Sequence, residues 1–322
     1  MPTPIRPAHS PVRLRRAIGA ALAVACTTVL VACTNPTPSS DAALDGLIAL
    51  VAGSSSTSLM GWGGRDPDAV PITLPKGDTT WIATGRAEVL AATLADGRAA
   101  TSDPVRLGEV LAWRTVKAVG PTGDAPKGPD YFATWDPEGG RFATLAGDLL
   151  AGDRIRVVLV DPSVGTAFEI AIDRPVVAAP PAWIDGDRLV VVTGDAAAPL
   201  ATIVDTTTGV LTDGPSGARL IATSASGHRI ATMDAQGAPV VIRDTAGWLG
   251  GDGSSIASIA PPNGSSTAIA FALDAAGERL VVAWRADDGA VTLAVHDGRS
   301  DWRRVAKPAI ATARGAVVAW RR

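Results

Sequence analysis

The clearest hydrophobic–polar pattern in this chain lies in residues 132–143, which read FATWDPEGGRFA. A short apolar, β-prone run is followed by a polar, glycine-containing stretch, and a second apolar run follows Arg141. Asp136 can hydrogen-bond the backbone ahead of it, Pro137 presets φ for a turn, and one of the two glycines behind it supplies the positive φ that closes the turn. The pattern therefore predicts a β-hairpin, which needs further strands and a packed face to be stable in water.

The same device recurs along the chain, with an Arg near the start of the strand that follows each turn. These Arg residues are roughly 40–50 positions apart, at Arg141, Arg188, Arg229 and Arg279. A second marker follows each of them, an apolar run that ends in Asp before a glycine-containing turn, at Asp161, Asp205, Asp244 and Asp297. Because both markers keep their order in all four units, each unit is predicted to contain two hairpins. A four-stranded unit with this period is typical of a β-propeller blade.

The two ends of the chain predict how such a ring closes. Residues 81–97 have the pattern of the opening strands of an earlier unit. Residues 308–322 have the pattern of only two strands, and a two-stranded blade would expose a sheet edge. The strand-like residues 59–63 and 70–74 would supply its missing half. The prediction is an all-β chain with a single propeller of four-stranded antiparallel blades over residues 58–322, five of them internal and one shared between N- and C-terminal strands.

Six blades are therefore expected, with seven as the alternative. The decisive stretch is residues 41–53, which read DAALDGLIALVAG. Apolar residues from Leu44 to Val51 recur with the spacing of one helix face, so a short helix is predicted there. The competing prediction is a strand over Leu47–Ala52, which would favour the seventh blade.

The repeat unit resembles those of TolB-type, WD-repeat-like β-propellers. The consensus hairpin of that family runs Trp-Ser-Pro-Asp-Gly-Lys/Arg before an apolar strand, and residues 135–141 here read WDPEGGR. Asp136 stands where the family usually has Ser, and Glu138 where it has Asp. The resemblance covers most of the body as architecture. It implies a propeller but no particular activity, since propellers include binding modules and enzymes.

The N-terminal segment has the organisation of a bacterial export signal. Residues 1–16 are polar and basic, and residues 17–32 are apolar but shorter than a stretch that spans a bilayer comfortably. The sequence LVAC at residues 30–33 resembles the bacterial lipobox, in which a peptidase cuts before the Cys and the thiol carries a diacylglyceryl group. The resemblance implies a lipoprotein signal peptide over residues 1–32 and a lipidated, usually acylated, N-terminus at Cys33.

An ordinary signal peptide or signal anchor with a chance Cys is the alternative. Cys26 lacks a small-residue box with a polar residue behind it, so it is assigned to the apolar region of the signal. Residues 33–57 would then comprise the lipidated Cys, a tether rich in Pro, Ser and Thr, and the short helix. Lipid chains on Cys33 would hold the protein on the outer face of a bacterial plasma membrane.

Composition narrows the class of partner. Hydrophobic residues make up 47% of the 322 residues and charged residues 19%, which permits a large core and argues against disorder over most of the length. The net charge is −3, and removal of the basic signal would leave a more acidic body, so a nucleic-acid partner is not expected. The scarcity of Lys beside abundant Ala, Val, Gly and Asp resembles the composition of actinobacterial proteins. Both cysteines precede residue 34, so no disulfide framework or Cys-based metal site is predicted.

Nine Trp against one Tyr and four Phe are unusual. Trp81, Trp135 and Trp183 each fall on the first strand of a predicted blade, which is the innermost strand in a propeller. They are the candidate ligand-binding residues, as a stacking platform for a sugar or an aromatic ligand in the central channel. The preferred alternative is packing between blades, where Trp is a large hydrophobic filler.

The charged candidates have structural interpretations. The four repeated Arg residues would form an anion site only if they converged, and pairing with nearby Asp residues or backbone carbonyls is preferred. The Asp residues at strand ends are interpreted as turn caps. His228 and His296 have no patterned carboxylate partner, so the sequence predicts neither a catalytic residue nor a metal or cofactor site.

Two hypotheses on function follow. The first is a non-enzymatic binding or scaffolding propeller whose partner is an envelope protein or a cell-wall glycan. The second is a propeller enzyme, a hydrolase or lyase, which requires two or more converging Asp, Glu, His or Arg side chains in the central funnel. The two longest connections, residues 120–130 and 250–266, are the predicted binding loops.

Overall fold

In the described part of the chain, short apolar runs bounded by turn residues form twenty-four strands, which pair into six four-stranded antiparallel sheets. The computed structural model describes residues 43–322 except 54, 64–67, 150–152, 263, 300, 309 and 311–312, and the side chains of residues 153 and 154 are also left out of the description. The predicted signal peptide, Cys33 and the tether before residue 43 lie outside the described residues. Within the described ranges, no helix is long and apolar enough to cross a membrane.

Five blades are continuous in sequence, and in each the first strand is the innermost. The first two blades comprise β4 Thr79–Thr84, β5 Leu90–Leu94, β6 Ala99–Ser102 and β7 Trp113–Thr115, then β8 Asp130–Trp135, β9 Phe142–Asp148, β10 Asp153–Asp161 and β11 Thr166–Ala171. The third comprises β12 Ala182–Trp183, β13 Arg188–Asp195, β14 Ala198–Asp205 and β15 Leu211–Ser216. The fourth and fifth comprise β16 Leu220–Thr223, β17 Arg229–Met233, β18 Val240–Asp244 and β19 Ala257–Ile259, then β20 Thr267–Leu273, β21 Arg279–Arg285, β22 Val291–Asp297 and β23 Arg303–Ala306. These blades confirm the predicted four-stranded repeat.

The sixth blade joins the two ends of the described chain, in the order β24-β1-β2-β3. Its strands are β24 Gly315–Trp320, β1 Leu47–Ala52, β2 Thr57–Gly61 and β3 Val70–Ile72. The closure is therefore one C-terminal strand with three N-terminal strands, and the predicted two-plus-two arrangement is wrong. Pro308 and Ile310 are irregular, so the inner strand is β24 alone.

The short helix predicted within residues 41–53 is wrong over Leu47–Ala52, which form the strand β1; among the described residues of that span, only Ala43 and Leu44 are helical. The run LIALVA is buried at five of its six positions and pairs on both sides, with β24 and with β2. A strand buried on both faces has apolar residues at every position, and such a run contains the spacing of a helix face by necessity. The competing strand prediction is confirmed, but this strand fills the shared blade and the ring keeps six blades.

The hairpin of residues 132–143 shows how the local sequence sets a blade. β8 ends at Trp135, and the carboxylate of Asp136 accepts the N–H of Gly140 at 3.0 Å. Gly139 takes the positive φ, 71°, that the turn requires. A Cβ on Gly139 would lie 2.3 Å from Cβ of Arg86, so the glycine also allows this turn to pack against the preceding blade.

The hydrophobic core consists of clusters between neighbouring blades. The middle strands supply most of it, because positions such as Leu145, Val191 and Val281 have no exposed surface and each lies in a cluster shared with a neighbouring blade. Each such side chain contributes about 1.5–3 kcal/mol by its removal from water. Packing between blades leaves the axis of the ring for a chamber, which the six innermost strands surround.

Candidate functional site

A chamber of about 230 Å³ lies on the axis of the propeller. Its walls come from all six inner strands, β4, β8, β12, β16, β20 and β24, and consist mainly of Ala, Ile, Leu, Val and aromatic side chains. Packing between the blades fixes these strands, so the chamber is formed without a ligand. A preformed, largely apolar cavity with a few polar groups is the usual form of a small-ligand site.

The three candidate Trp residues all line this chamber, and two of them are almost fully buried. Trp135 and Trp183 are 4% and 3% exposed and belong to clusters between blades, whereas Trp81 is half-buried. The ring of Trp135 lies nearly edge-on to Phe142, with centroids 5.4 Å apart. These Trp residues therefore pack between blades and line the wall at once, and a ligand-binding role for them stays a prediction.

Indole N–H groups link neighbouring inner strands around the chamber. Trp81 donates to a main-chain carbonyl of β8 at 3.1 Å. Trp183 donates to the carbonyl of Thr134 in the preceding blade at 3.0 Å. Trp320 repeats this contact with the carbonyl of Ala272 in its own preceding blade, at 3.1 Å. Each bond satisfies a buried donor and ties one blade to the next.

Arg141 packs against one of these Trp rings. Its guanidinium carbon lies 5.4 Å from the ring centroid of Trp183 in the next blade. Its Nε lies 3.5 Å from the carboxylate of Asp136, which is 5% exposed. One cation thus neutralises a buried carboxylate and covers an aromatic face, a combination that is worth most where water is excluded.

The same arrangement recurs on the opposite part of the ring. The guanidinium carbon of Arg279 lies 4.3 Å from the ring centroid of Trp320, and its Nε lies 3.0 Å from Asp274. Asp274 is 7% exposed and also accepts backbone N–H groups of its own turn. Both Arg residues therefore pair structurally, as preferred in the sequence analysis.

The other two repeated Arg residues pair within their own blades. Arg188 lies 2.7 Å from the carboxylate of Asp185, and Arg229 lies 3.8 Å from that of Asp244. Each of the four is thus paired with an Asp of its own blade, at four places around the ring.

The strand-end Asp residues act as caps. Their carboxylates accept backbone N–H groups two or three residues further on, from Ser163, Thr207, Thr208, Gly247 and Arg299. The N–H of Thr208 is the main cause that lowers the pKa of Asp205. The cap at Asp244 begins a short helix, α1 Thr245–Leu249, where the sequence predicts only a turn.

The two histidines of the propeller, His228 and His296, differ in exposure and lie on different blades. His228 is exposed in the β16–β17 turn. His296 is 8% exposed on β22, where burial lowers its pKa and Nδ1 lies 3.4 Å from the carbonyl oxygen of Trp302. In the part of the chain that the structure describes, no three His, Cys, Asp or Glu side chains come together in a way that could hold a metal ion.

The predicted binding loops are not part of the chamber wall. The loop over residues 120–130 runs along the outer strand of its blade, where the N–H of Lys127 donates to Glu169 at 3.2 Å and Arg156 lies 3.0 Å from the same carboxylate. The connection over residues 250–266 contributes no residue to the described wall either. The structure therefore separates these loops from the three candidate Trp residues.

The wall also contains Phe132, Trp320 and Arg322, which the sequence analysis did not propose as ligand-binding residues. Phe132 has a positive φ of 55° at a β-bulge, and its ring meets that of Trp81 edge-on at 5.2 Å. Trp320 had a usable signal, since VVAWR occurs at residues 281–285 and again at 317–321. Arg322 lies two residues beyond the end of β24, as Arg86 does beyond β4, and nothing in its own sequence marks it as a wall residue.

Arg322 is the one ionisable side chain among the described residues of the chamber wall. It follows β24, is half-buried, and donates from Nη1 to the main-chain carbonyl of Asp136 at 3.0 Å. Burial lowers the pKa of the guanidinium, and the charge of Asp136 acts in the opposite direction. The converging ionisable groups that the enzyme hypothesis requires are not present in the described wall.

Comparison with known proteins identifies relatives by fold only. No protein-family model matches the chain, and no curated protein matches its sequence. TolB from Acinetobacter baumannii matches with a TM-score of 0.62 and 13% identity over 85% of this chain and 66% of that one. A chain assigned to TolB from Agrobacterium tumefaciens gives a TM-score of 0.55, with 11% identity over 81% of this chain and 88% of that one. A chain of a nidogen/laminin complex gives 0.57, with 11% identity over 85% and 98%.

At these identities the shared feature is the fold, a TolB-like β-propeller. The predicted resemblance to TolB-type propellers is confirmed at that level. The chain spans 66% of the length of the Acinetobacter TolB chain that it matches.

Proposed function

We propose that the chain is a membrane-anchored extracytoplasmic lipoprotein whose β-propeller acts as a non-enzymatic binding or scaffolding module. Its partner is an envelope protein or a cell-wall component. The observation that carries the proposal is the axial chamber, a preformed cavity of about 230 Å³ whose described wall contains aromatic residues and a single guanidinium. Such a cavity offers contact area and one fixed polar group, which are the requirements of recognition.

The fold supports a binding role because it is rigid around its axis. The inner strands are tied to one another by the indole hydrogen bonds and by packing between blades. Groups held in place before binding lose little conformational freedom when a partner docks, and this raises affinity. The TolB-like neighbours share this architecture.

The aromatic residues of the wall favour a partner that presents a flat apolar face. Trp81 and Phe132 are half-buried, so their rings keep surface toward the chamber. An indole or phenyl face stacks on the apolar face of a sugar ring or on an inserted aromatic side chain. A cell-wall glycan and a protein segment both carry such groups.

The anchor is proposed from the sequence of the N-terminal segment. A basic stretch, an apolar run over residues 17–32 and the sequence LVAC at residues 30–33 together indicate cleavage before Cys33 and lipidation of its thiol. Residues 34–42 are rich in Pro, Ser and Thr, a composition typical of a flexible tether. The propeller would then lie close to the outer face of the membrane, within reach of envelope components.

Site-specific photo-crosslinking in intact cells tests the binding role. An amino acid with a small alkyl diazirine, which leaves room in the chamber, is placed at Ala178, which lines the chamber, or at Val110, which is 88% exposed away from it. We expect a discrete adduct from position 178 and not from position 110, because a partner in the chamber contacts only the first. Equal adduct formation at both positions, or none at position 178, would contradict the proposal.

A further inference from the structure

Arg322 holds its guanidinium at the end of β8, beside the chamber. The hydrogen bond from Nη1 to the carbonyl of Asp136 fixes this position. That bond goes to the main chain, so it supplies no negative charge. Among the described residues, Arg322 makes this one hydrogen bond and no ion pair. A guanidinium has five N–H donors, and most of them remain available to a ligand.

The nearest carboxylate is already engaged. Asp136 lies 3.5 Å from Arg141 through its carboxylate and accepts the N–H of Gly140 at 3.0 Å. A partly buried cation whose neighbouring carboxylate is paired with another cation favours binding of an anion. The charge on Arg322 is therefore available for recognition.

Two further donors adjoin this position on β8. The hydroxyl of Thr134 and the indole N–H of Trp135 are buried without a hydrogen-bond partner among the described residues, and both residues line the chamber. Buried polar groups without a partner are uncommon and carry a cost of about 1–3 kcal/mol each. The described wall thus contains one cation and, on the last two residues of β8, two buried polar groups without a partner.

The chamber volume limits the size of the ligand. An apolar cavity of ~150 Å³ takes a benzene molecule, and this chamber has about 230 Å³. A two-ring aromatic body is therefore the largest that fits without displacement of the wall. Trp81 and Phe132 offer partly exposed rings against which such a body can stack.

We propose that the chamber binds a small planar aromatic carboxylate, with its carboxylate on Arg322 and its ring system against Trp81 and Phe132. The anion is a singly charged carboxylate rather than a doubly charged phosphate because one guanidinium faces it among the described wall residues. The ligand is either a free aromatic acid or a carboxylate-bearing aromatic group of a larger partner. This inference rests on the proposed binding role of the chamber and names its ligand class.

Calorimetric titration of the full chain in mild detergent tests the inference, with 2-naphthoate as the probe and neutral 2-naphthalenemethanol as its isostere. We expect one naphthoate per chain. The neutral isostere should bind at least about tenfold more weakly, since it lacks the charge-assisted hydrogen bonds. In Arg322→Met, the affinity for naphthoate should fall by a similar factor, while the affinity for the isostere stays unchanged. Arg285→Met removes an exposed cation elsewhere on the ring and should leave both affinities as they are.

If a thermal melt shows that Arg322→Met does not fold, Thr134→Val provides a second variant. Its affinity for naphthoate should be a few-fold lower than that of the wild type. Absence of naphthoate binding at millimolar concentrations would overturn the inference. An equal loss in Arg322→Met and Arg285→Met would overturn it as well. A larger partner can still crosslink at position 178 if naphthoate does not bind, so failure of this test is distinct from failure of the proposed function.

Discussion

Trp183 and Trp320 each line the chamber and also connect two neighbouring blades. Each donates its indole N–H to the preceding blade and carries the guanidinium of that blade on its ring. Recognition in the chamber is therefore coupled to the residues that hold the ring together. Substitution of either Trp would test stability and binding at the same time, so more informative variants lie elsewhere.

Asp130, at the start of β8, makes the stability of the fold depend on pH. Burial raises its pKa to about 6, the hydrogen bond from Thr144 acts to lower it, and the charge of Glu169 adds to the rise. The ordinary value is 3.8. Because the pKa is raised in the folded state, this group's contribution to stability is fully present below the ordinary pKa of 3.8. The contribution is lost as the pH rises through about 6.

Asp130→Asn removes the charge and keeps an oxygen that accepts from Thr144. We expect the variant to be more stable than the wild type by about 2 kcal/mol at pH 8 and to gain little at pH 4. Denaturant unfolding at the two pH values measures this difference. Asp124→Asn, an exposed carboxylate of the preceding loop, is the control and should show no such change with pH. If Asp130→Asn changes the free energy of unfolding by the same amount at both pH values, burial of the charge is not the cause of the stability difference.

Gly139 tests the contact between the hairpin turns and the neighbouring blade. Gly139→Ala places a Cβ at positive φ and 2.3 Å from Cβ of Arg86, so the backbones must move apart. Gly237→Ala has a similar φ of 79° and meets nothing within 4 Å. We expect Gly237→Ala to cost about 1 kcal/mol and Gly139→Ala about 1–3 kcal/mol more, as for overpacking. Thermal unfolding measures both, and equal losses would mean that the turn is free of the neighbouring blade.

At the level of elements, the closing blade depends on β1. This strand lies between β24 and β2, so its backbone groups pair on both sides. Leu50 is 4% exposed and stands opposite Leu59 on one side and Val317 on the other. A disruption here opens the ring at the one blade that is not continuous in sequence.

Leu50→Pro should destabilise the fold strongly, by about 3 kcal/mol or more, because proline removes a ladder hydrogen bond and the change also deletes a buried side chain. Asp287→Pro is the matched control, at the second position of a turn closed by the bond from Gly289 N–H to Ala286 O, where proline is tolerated. Chemical denaturation of both variants is the measurement. A stability of Leu50→Pro equal to that of Asp287→Pro would contradict the three-plus-one closure.

The repeated elements were predictable and the unique ones were not. The turn device around Asp136 occurs in four units, so the hairpins, the blades and their number follow from the sequence. β1 was predicted as a helix because a strand buried on both faces has no period of its own. Arg322 was missed for the same reason at the site, since its role depends on the end of β8 lying beside it, and no local pattern encodes that contact.

For the whole molecule, the proposed anchor gives a ring held at a membrane surface. Cys33→Ser removes the thiol that would carry the lipid, and Cys26→Ser is the matched control in the same segment. Cells grown with an alkyne-labelled fatty acid should label the wild type and Cys26→Ser but not Cys33→Ser. Retention of label in Cys33→Ser, or its loss in Cys26→Ser, would contradict lipidation at residue 33.

An anchored ring meets envelope partners at a higher effective concentration than a free one, since the tether confines it to the membrane surface. The central claim is that anchor and chamber act together. The measurement that tests it most directly is adduct formation from the diazirine at position 178 in intact cells, compared between the wild type, Cys33→Ser and Cys26→Ser. We expect a discrete adduct of similar yield in the wild type and Cys26→Ser and a much lower yield in Cys33→Ser. The same yield in all three, or no adduct in the wild type, would contradict the account.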